Sequence, residues 1–155
     1  GVGSSNCVPK TAWRRIAQFR EQKALEDAKK REELALKFSS VAEKYLPLQH
    51  NKRSAFICII ARTPSELVRE GESLHHCVGS LNYERKFADE QSLIFFIRTK
   101  ENPDKPFVTV EYSIENHRIL QCYGRYNTKP NDDTLHYINK IWLPYANKAI
   151  KQIAA

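Results

Sequence analysis

Apolar residues in the first third of the chain recur at helical spacing. Leu34, Phe38, Val41 and Tyr45 fall at i, i+4, i+7 and i+11, a stripe that predicts an amphipathic helix, and Pro47 ends it. Upstream, Trp13, Ile16 and Ala17 make a shorter apolar face, and residues 18–33 are rich in Glu, Lys, Ala, Gln and Arg, all good helix formers. The pattern predicts a short first helix, then a long second one whose last half packs on the domain. Residues 55–61, AFICIIA, are a continuous apolar run whose β-branched content predicts a buried strand. Thr63, Pro64 and Glu66 read as cap, first helical position and capping box of a short helix, with Gly71 as its left-handed stop. Residues 83–90 are polar and read as a turn or a short helix.

Alternation of period two takes over at 93–99, 106–114 and 118–124, with turn residues between, which predicts an antiparallel meander. Successive side chains of a strand point to opposite faces. Val108, Val110 and Tyr112 therefore share an apolar face, which helices should cover together with Leu120 and Cys122. Aligning the apolar faces leaves Arg98, Thr109, Glu111 and Gln121 together on the other side. Polar groups central in strands need partners or water. A terminal helix follows from Asp132 to Ile153, capped by Asn131 or Asp132, with Leu135, Ile138, Ile141 and Trp142 on its apolar face and a kink at Pro144. The sum is an α+β fold: an antiparallel three- to four-stranded sheet packed by helices, with a long helical N-terminal segment. Residues 1–8 read as a disordered cloning remnant ahead of a fragment of a longer protein, 9–50 as the helical segment, and 51–155 as the core, one domain overall.

Composition narrows the function. The chain has 155 residues and no apolar run long enough to cross a bilayer, so no membrane role is expected. Its four cysteines form no CxxC pair, and Cys58 and Cys122 sit in apolar strands, which points to a reducing, cytoplasmic compartment. The net charge is +7, of which residues 1–53 carry +6. That imbalance favours an acidic partner, DNA or RNA. Arg14, Arg15, Arg20, Lys29, Lys30 and Arg31 are the candidates for phosphate contact, although interleaved acids also suit a solvated helix face. Pairing of these helices with a partner protein or a second copy is the alternative use.

The densest chemistry lies in EGESLHHCVGSLNY, residues 70–83, and in QCYGRYN, residues 121–127, and these two stretches are expected to meet. Cys77 with a histidine could act as nucleophile and base, but adjacent residues face each other poorly. The plainer expectation is that Cys77 and Val78 plug the core. His75, His76, His117, His136 and the cysteines show no zinc spacing, so no metal is expected. Glu111 and Arg98 could pair across neighbouring strands. Otherwise Arg98, Thr109, Glu111 and Gln121 form a polar pocket on the sheet, continued by Tyr123, Arg125 and Asn127, with His76 at its edge. Such a pocket suits a nucleotide or an extruded base. If the domain is an enzyme, His76, Cys77 and Glu111 are its candidate catalytic groups. No cofactor is indicated.

The string EG-x-x-L-x-x-CVG from Glu70 to Gly79 resembles the PcfJ-like proteins of conjugative plasmids, integrative elements and phages. So do Cys7-Val8-Pro9-Lys10, the strand ending in Arg98, and Pro106 leading to Thr109 and Glu111, as well as Gln121, Gly124 and Asn127. The resemblance runs from about Pro9 to Pro144. It implies a mobile-element protein, working beside DNA transfer or phage–host conflict and with other mobile-element proteins, and it implies no particular reaction.

Overall fold

The computed structural model describes residues 9–79 and 81–154; the expected remnant at 1–8, and with it Cys7 and Val8, lies outside them. Helix α1 runs unbroken from Lys10 to Lys44, one helix where two were expected. Residues 18–33 contain no Gly or Pro to break it, and their helix formers carry it through. The chain divides after Glu33 into two units. In the first, the side chains of α1 are almost all exposed. In the second, Phe38, Val41 and Ala42 of α1 are buried, and Phe38 stacks on Phe87 with ring centroids 3.8 Å apart.

Strand β1 (Phe56–Ile60) leads into α2 (Pro64–Leu74), then a 3₁₀ turn at Cys77–Gly79, α3 (Leu81–Ala88), and the meander β2 (Ser92–Thr99), β3 (Val108–Ser113) and β4 (Arg118–Tyr123). The sheet order is β1-β2-β3-β4, antiparallel throughout. The C-terminal run comprises α4 (Asp132–His136), a π-helical turn (Tyr137–Trp142) and α5 (Leu143–Ala154). Asn131 caps it by accepting from the Thr134 amide at 2.9 Å. The expected kink at Pro144 is taken up as that π turn. The wider turn keeps Thr134, Ile138, Trp142, Ala146 and Ile150 buried and leaves Ile141, expected inside, exposed.

Register decides the faces. Phe95 pairs with Val110 and Ile97 with Val108, and on this side Phe95 and Tyr112 pack against Trp142. The indole N–H of Trp142 donates to the Leu48 carbonyl at 2.9 Å, so even this apolar side leaves its polar handle satisfied. On β4 the pairing shifts by one residue: Glu111 faces Gln121, but Tyr112 faces Ile119. Leu120 is the bulged residue, 44% exposed, and Ile119 takes the inward place expected of Leu120.

Candidate functional site

The other side of the sheet holds the polar residues. Ile94 pairs with Glu111, Phe96 with Thr109, Glu111 with Gln121, and Thr109 with Tyr123, while Arg98 shares their parity. Above them lies α2 and the loop that follows it. Thr63 caps α2 through its side chain, accepting from the Glu66 amide at 3.3 Å. The helix does not stop at Gly71. It runs on to Leu74, and His75 is the left-handed residue, at φ 54°. Gly71 and Gly79 serve close approach instead. A Cβ on Gly79 would sit 3.0 Å from the Val68 Cα, and one on Gly71 would sit 3.1 Å from the Gly79 nitrogen. Those two glycines let the HHCVG loop fold back against α2.

Folding back delivers His76 to the sheet. Its Nδ1 accepts from the Val78 amide at 3.4 Å, which leaves Nε2–H to donate to the Thr109 hydroxyl at 2.8 Å. Burial holds the imidazole below its ordinary range, in keeping with this neutral form. Both ring nitrogens are thus engaged within the protein. The same turn pushes Cys77 outward: it is exposed, contrary to the expectation of a core plug, and Val78 alone is buried. His117 sits in the β3–β4 hairpin at φ 53° and is not among the residues that line the recess.

The expected Arg98–Glu111 pair does not form. Arg98 instead makes a two-pronged salt bridge to Glu70 of α2, at 2.5 and 2.7 Å, with both side chains buried. Burial pushes the Glu70 carboxyl upward, and the two bonds from Arg98 oppose it only in part. Arg98 also lies over the Phe96 ring, 5.2 Å from its centroid. This pair belongs to a groove of about 550 Å³ between α2 and the β1 side of the sheet. Glu111 is 3% exposed and accepts from the Ser92 hydroxyl at 2.7 Å.

Thr109, Glu111, Gln121, Tyr123, Asn127 and His76 line a separate recess of about 40 Å³, together with Cys77, Val78, Tyr83 and Ile94. The Tyr83 hydroxyl donates to Gln121 Oε1 at 3.2 Å. Next in sequence to the lining residues His76 and Asn127, His75 and Tyr126 stack with centroids 4.7 Å apart and planes 4° from parallel. The two stretches expected to meet do so there. Tyr126 and Asn127 are both left-handed, at φ 55° and 58°, so the rim is held in a conformation that side chains seldom adopt. Tyr123 is 41% and Tyr126 63% exposed. Arg125 is exposed, lies 5.5 Å from the Tyr126 ring centroid, and does not line the recess. Arg14, Arg15, Arg20, Lys29, Lys30 and Arg31 are exposed on α1. At about 100° per residue they point to all sides of the helix.

Some of these residues escaped sequence reasoning although a signal existed. Ser92 shares parity with Ile94 and Phe96, and the spacing Leu67, Glu70, Leu74 places Glu70 on the buried stripe of α2. Nothing local marks Tyr83 or Tyr126. Among the described residues, no group of three His, Cys, Asp or Glu could hold a metal ion, and no helix is long and apolar enough to cross a membrane.

The sequence profile of the PcfJ-like protein family matches residues 12–138, most of the length that carries this fold and recess, and the chain belongs to that family. It is 35% identical over 81 residues to an uncharacterized protein of Listeria innocua, Lin1253/Lin1744. The match covers 52% of this chain and 17% of that relative, so the chain spans well under two thirds of the relative's length. No solved structure matches.

Proposed function

We propose that this chain is a nucleic-acid-binding domain of a cytoplasmic mobile-element protein, and that it holds an unpaired base at the recess on the polar side of the sheet. The observation that carries this reading is the pairing of aromatic faces with a polar floor. Tyr123 offers an exposed ring beside Thr109, Glu111 and Gln121, and Tyr126, stacked on His75, adds a second exposed ring next in sequence to Asn127 of the recess. Base-on-aromatic stacking tolerates any sequence, and an unpaired base frees its hydrogen-bonding edge for a polar floor. The basic residues of α1 and Arg125 supply diffuse positive charge that attracts a phosphate chain. Catalysis by Cys77 fits less well, because both nitrogens of the adjacent His76 are engaged.

Filter binding of single- and double-stranded oligonucleotides at two salt concentrations tests the reading. Single strands should bind better than duplex, with a steep loss at the higher salt. Replacing Tyr123 and Tyr126 by alanine should weaken single-strand binding about tenfold or more, since stacking contributes roughly 1–3 kcal/mol per base. Binding that ignores both tyrosines, or no binding at either salt, overturns it.

A further inference from the structure

We infer that the base taken by the recess is guanine, held by its pairing edge against Glu111. The inference rests on the base-binding reading above and adds which base is chosen. Glu111 is 97% shielded from solvent and its Oε2 accepts one hydrogen bond, from Ser92. Among the described residues no lysine or arginine lines the recess. Of the strand-borne guanidiniums on that face, Arg98 is committed to Glu70, and Arg118, opposite Ser113, is exposed and does not line the recess. A carboxylate removed from water with so little compensation attracts N–H donors and repels anything that presents lone pairs or negative charge. Phosphate is thereby excluded from the floor.

The four bases differ in what they would show to this carboxylate. Guanine presents two adjacent donors, N1–H and the N2 amine, which meet the two oxygens of a carboxylate side by side. Adenine and cytosine each set a ring-nitrogen acceptor beside their amine. Thymine and uracil flank their one N–H with two carbonyls. Only guanine therefore meets the carboxylate without a lone pair facing it. Gln121 completes the match. Its Oε1 accepts from Tyr83, so its amide NH₂ is left to donate to the guanine O6. The volume of about 40 Å³ suits the edge of a base and a water or so, not the whole purine, whose ring plane then lies at the mouth beside Tyr123. The same edge could come from a nucleic-acid strand or from a free guanine nucleotide.

Binding of the whole chain is measured by fluorescence anisotropy with thymine strands of equal length that carry one central guanine, adenine, cytosine or hypoxanthine. Free GMP is titrated separately by calorimetry. The guanine strand should bind about tenfold tighter than the others, the scale of discrimination a two-pronged base contact provides. Hypoxanthine, which lacks only the N2 amine, should lose most of that preference. Glu111→Gln should abolish the preference, whereas Tyr123→Ala should weaken all strands alike and keep the ratio. If Glu111→Gln fails to fold by circular dichroism, the guanine-to-hypoxanthine ratio of the unaltered protein decides. Equal binding of all the strands overturns the guanine inference and leaves the nucleic-acid reading standing. Binding of GMP with no binding of any strand keeps guanine and removes that reading. If neither strands nor GMP bind, both fall.

Discussion

Two carboxylates lie buried on the same side of this sheet, and their surroundings treat them in opposite ways. Glu70 reaches down from α2 and is met by both prongs of the Arg98 guanidinium. Glu111 rises from the middle of β3 and has a single hydroxyl for company, from Ser92. The first is a closed account of charge and hydrogen bonds, set beside a groove. The second faces a recess. The difference separates a carboxylate bonded twice to a guanidinium between a helix and the sheet from one that lines a recess with a single hydroxyl as its partner.

That comparison can be broken most sharply at Arg98. Arg98→Met should cost about 3–5 kcal/mol in urea-induced unfolding, because it strands Glu70 without a partner. Adding Glu70→Leu should restore most of the loss, since an apolar pair of similar volume is often as stable as a buried ion pair. A single variant as stable as the parent would mean that the pair does not hold α2 down. Next in size is Gly79→Ala, which places a methyl 3.0 Å from the backbone of Val68 and should cost about 1–3 kcal/mol by overpacking. It should also shift the His76 imidazole resonances, because the loop that carries His76 must move.

Glu111→Gln should behave unlike Arg98→Met. It keeps the shape and an acceptor for Ser92 while removing a poorly compensated charge, so stability should stay within about 1 kcal/mol of the parent. A loss as large as that of Arg98→Met would erase the contrast between the two carboxylates. The smallest effect is that of pH. Burial holds both His50 and His76 below their ordinary range, and nearby Lys52 and Lys100 push His50 further down. Near the usual pKa of about 6.5 the unfolded chain then binds more protons than the folded one. The stabilisation is complete above that value and is lost as pH falls through it. The melting temperature should therefore drop on acidification from neutral pH toward pH 5. His50→Asn, which also removes the bond to the Tyr137 hydroxyl, should flatten part of that slope.

The sheet was largely legible because its strands alternate cleanly. Parity alone puts Arg98, Thr109, Glu111 and Gln121 on one side, and the pairing register agrees. Parity cannot say which of them share a space. Glu70 lies 28 residues from Arg98 in sequence, and only the position of α2 over the sheet joins them. Local exceptions to regular geometry were equally hidden. The bulge at Leu120 carries no glycine to announce it, and the left-handed turn at His75 comes four residues after the glycine that looked like the stop. Cys77 ends up outside for that reason, although its neighbours look like core.

The bulge in β4 has a further consequence, for how this protein keeps company with itself. A terminal strand offers its outer row of amides and carbonyls to any passing extended segment. At the β1 end that row is partly occupied, by the His50–Cys58 bridge and by the Gln49 side chain accepting from the Ile60 amide at 3.0 Å. At the β4 end among the described residues no such cover exists. There the extra residue at Leu120 breaks the rhythm of donors and acceptors and twists the strand, so a second sheet cannot zip onto it in register. Deleting Leu120 would restore a regular edge, and with it a template for fibrous stacking.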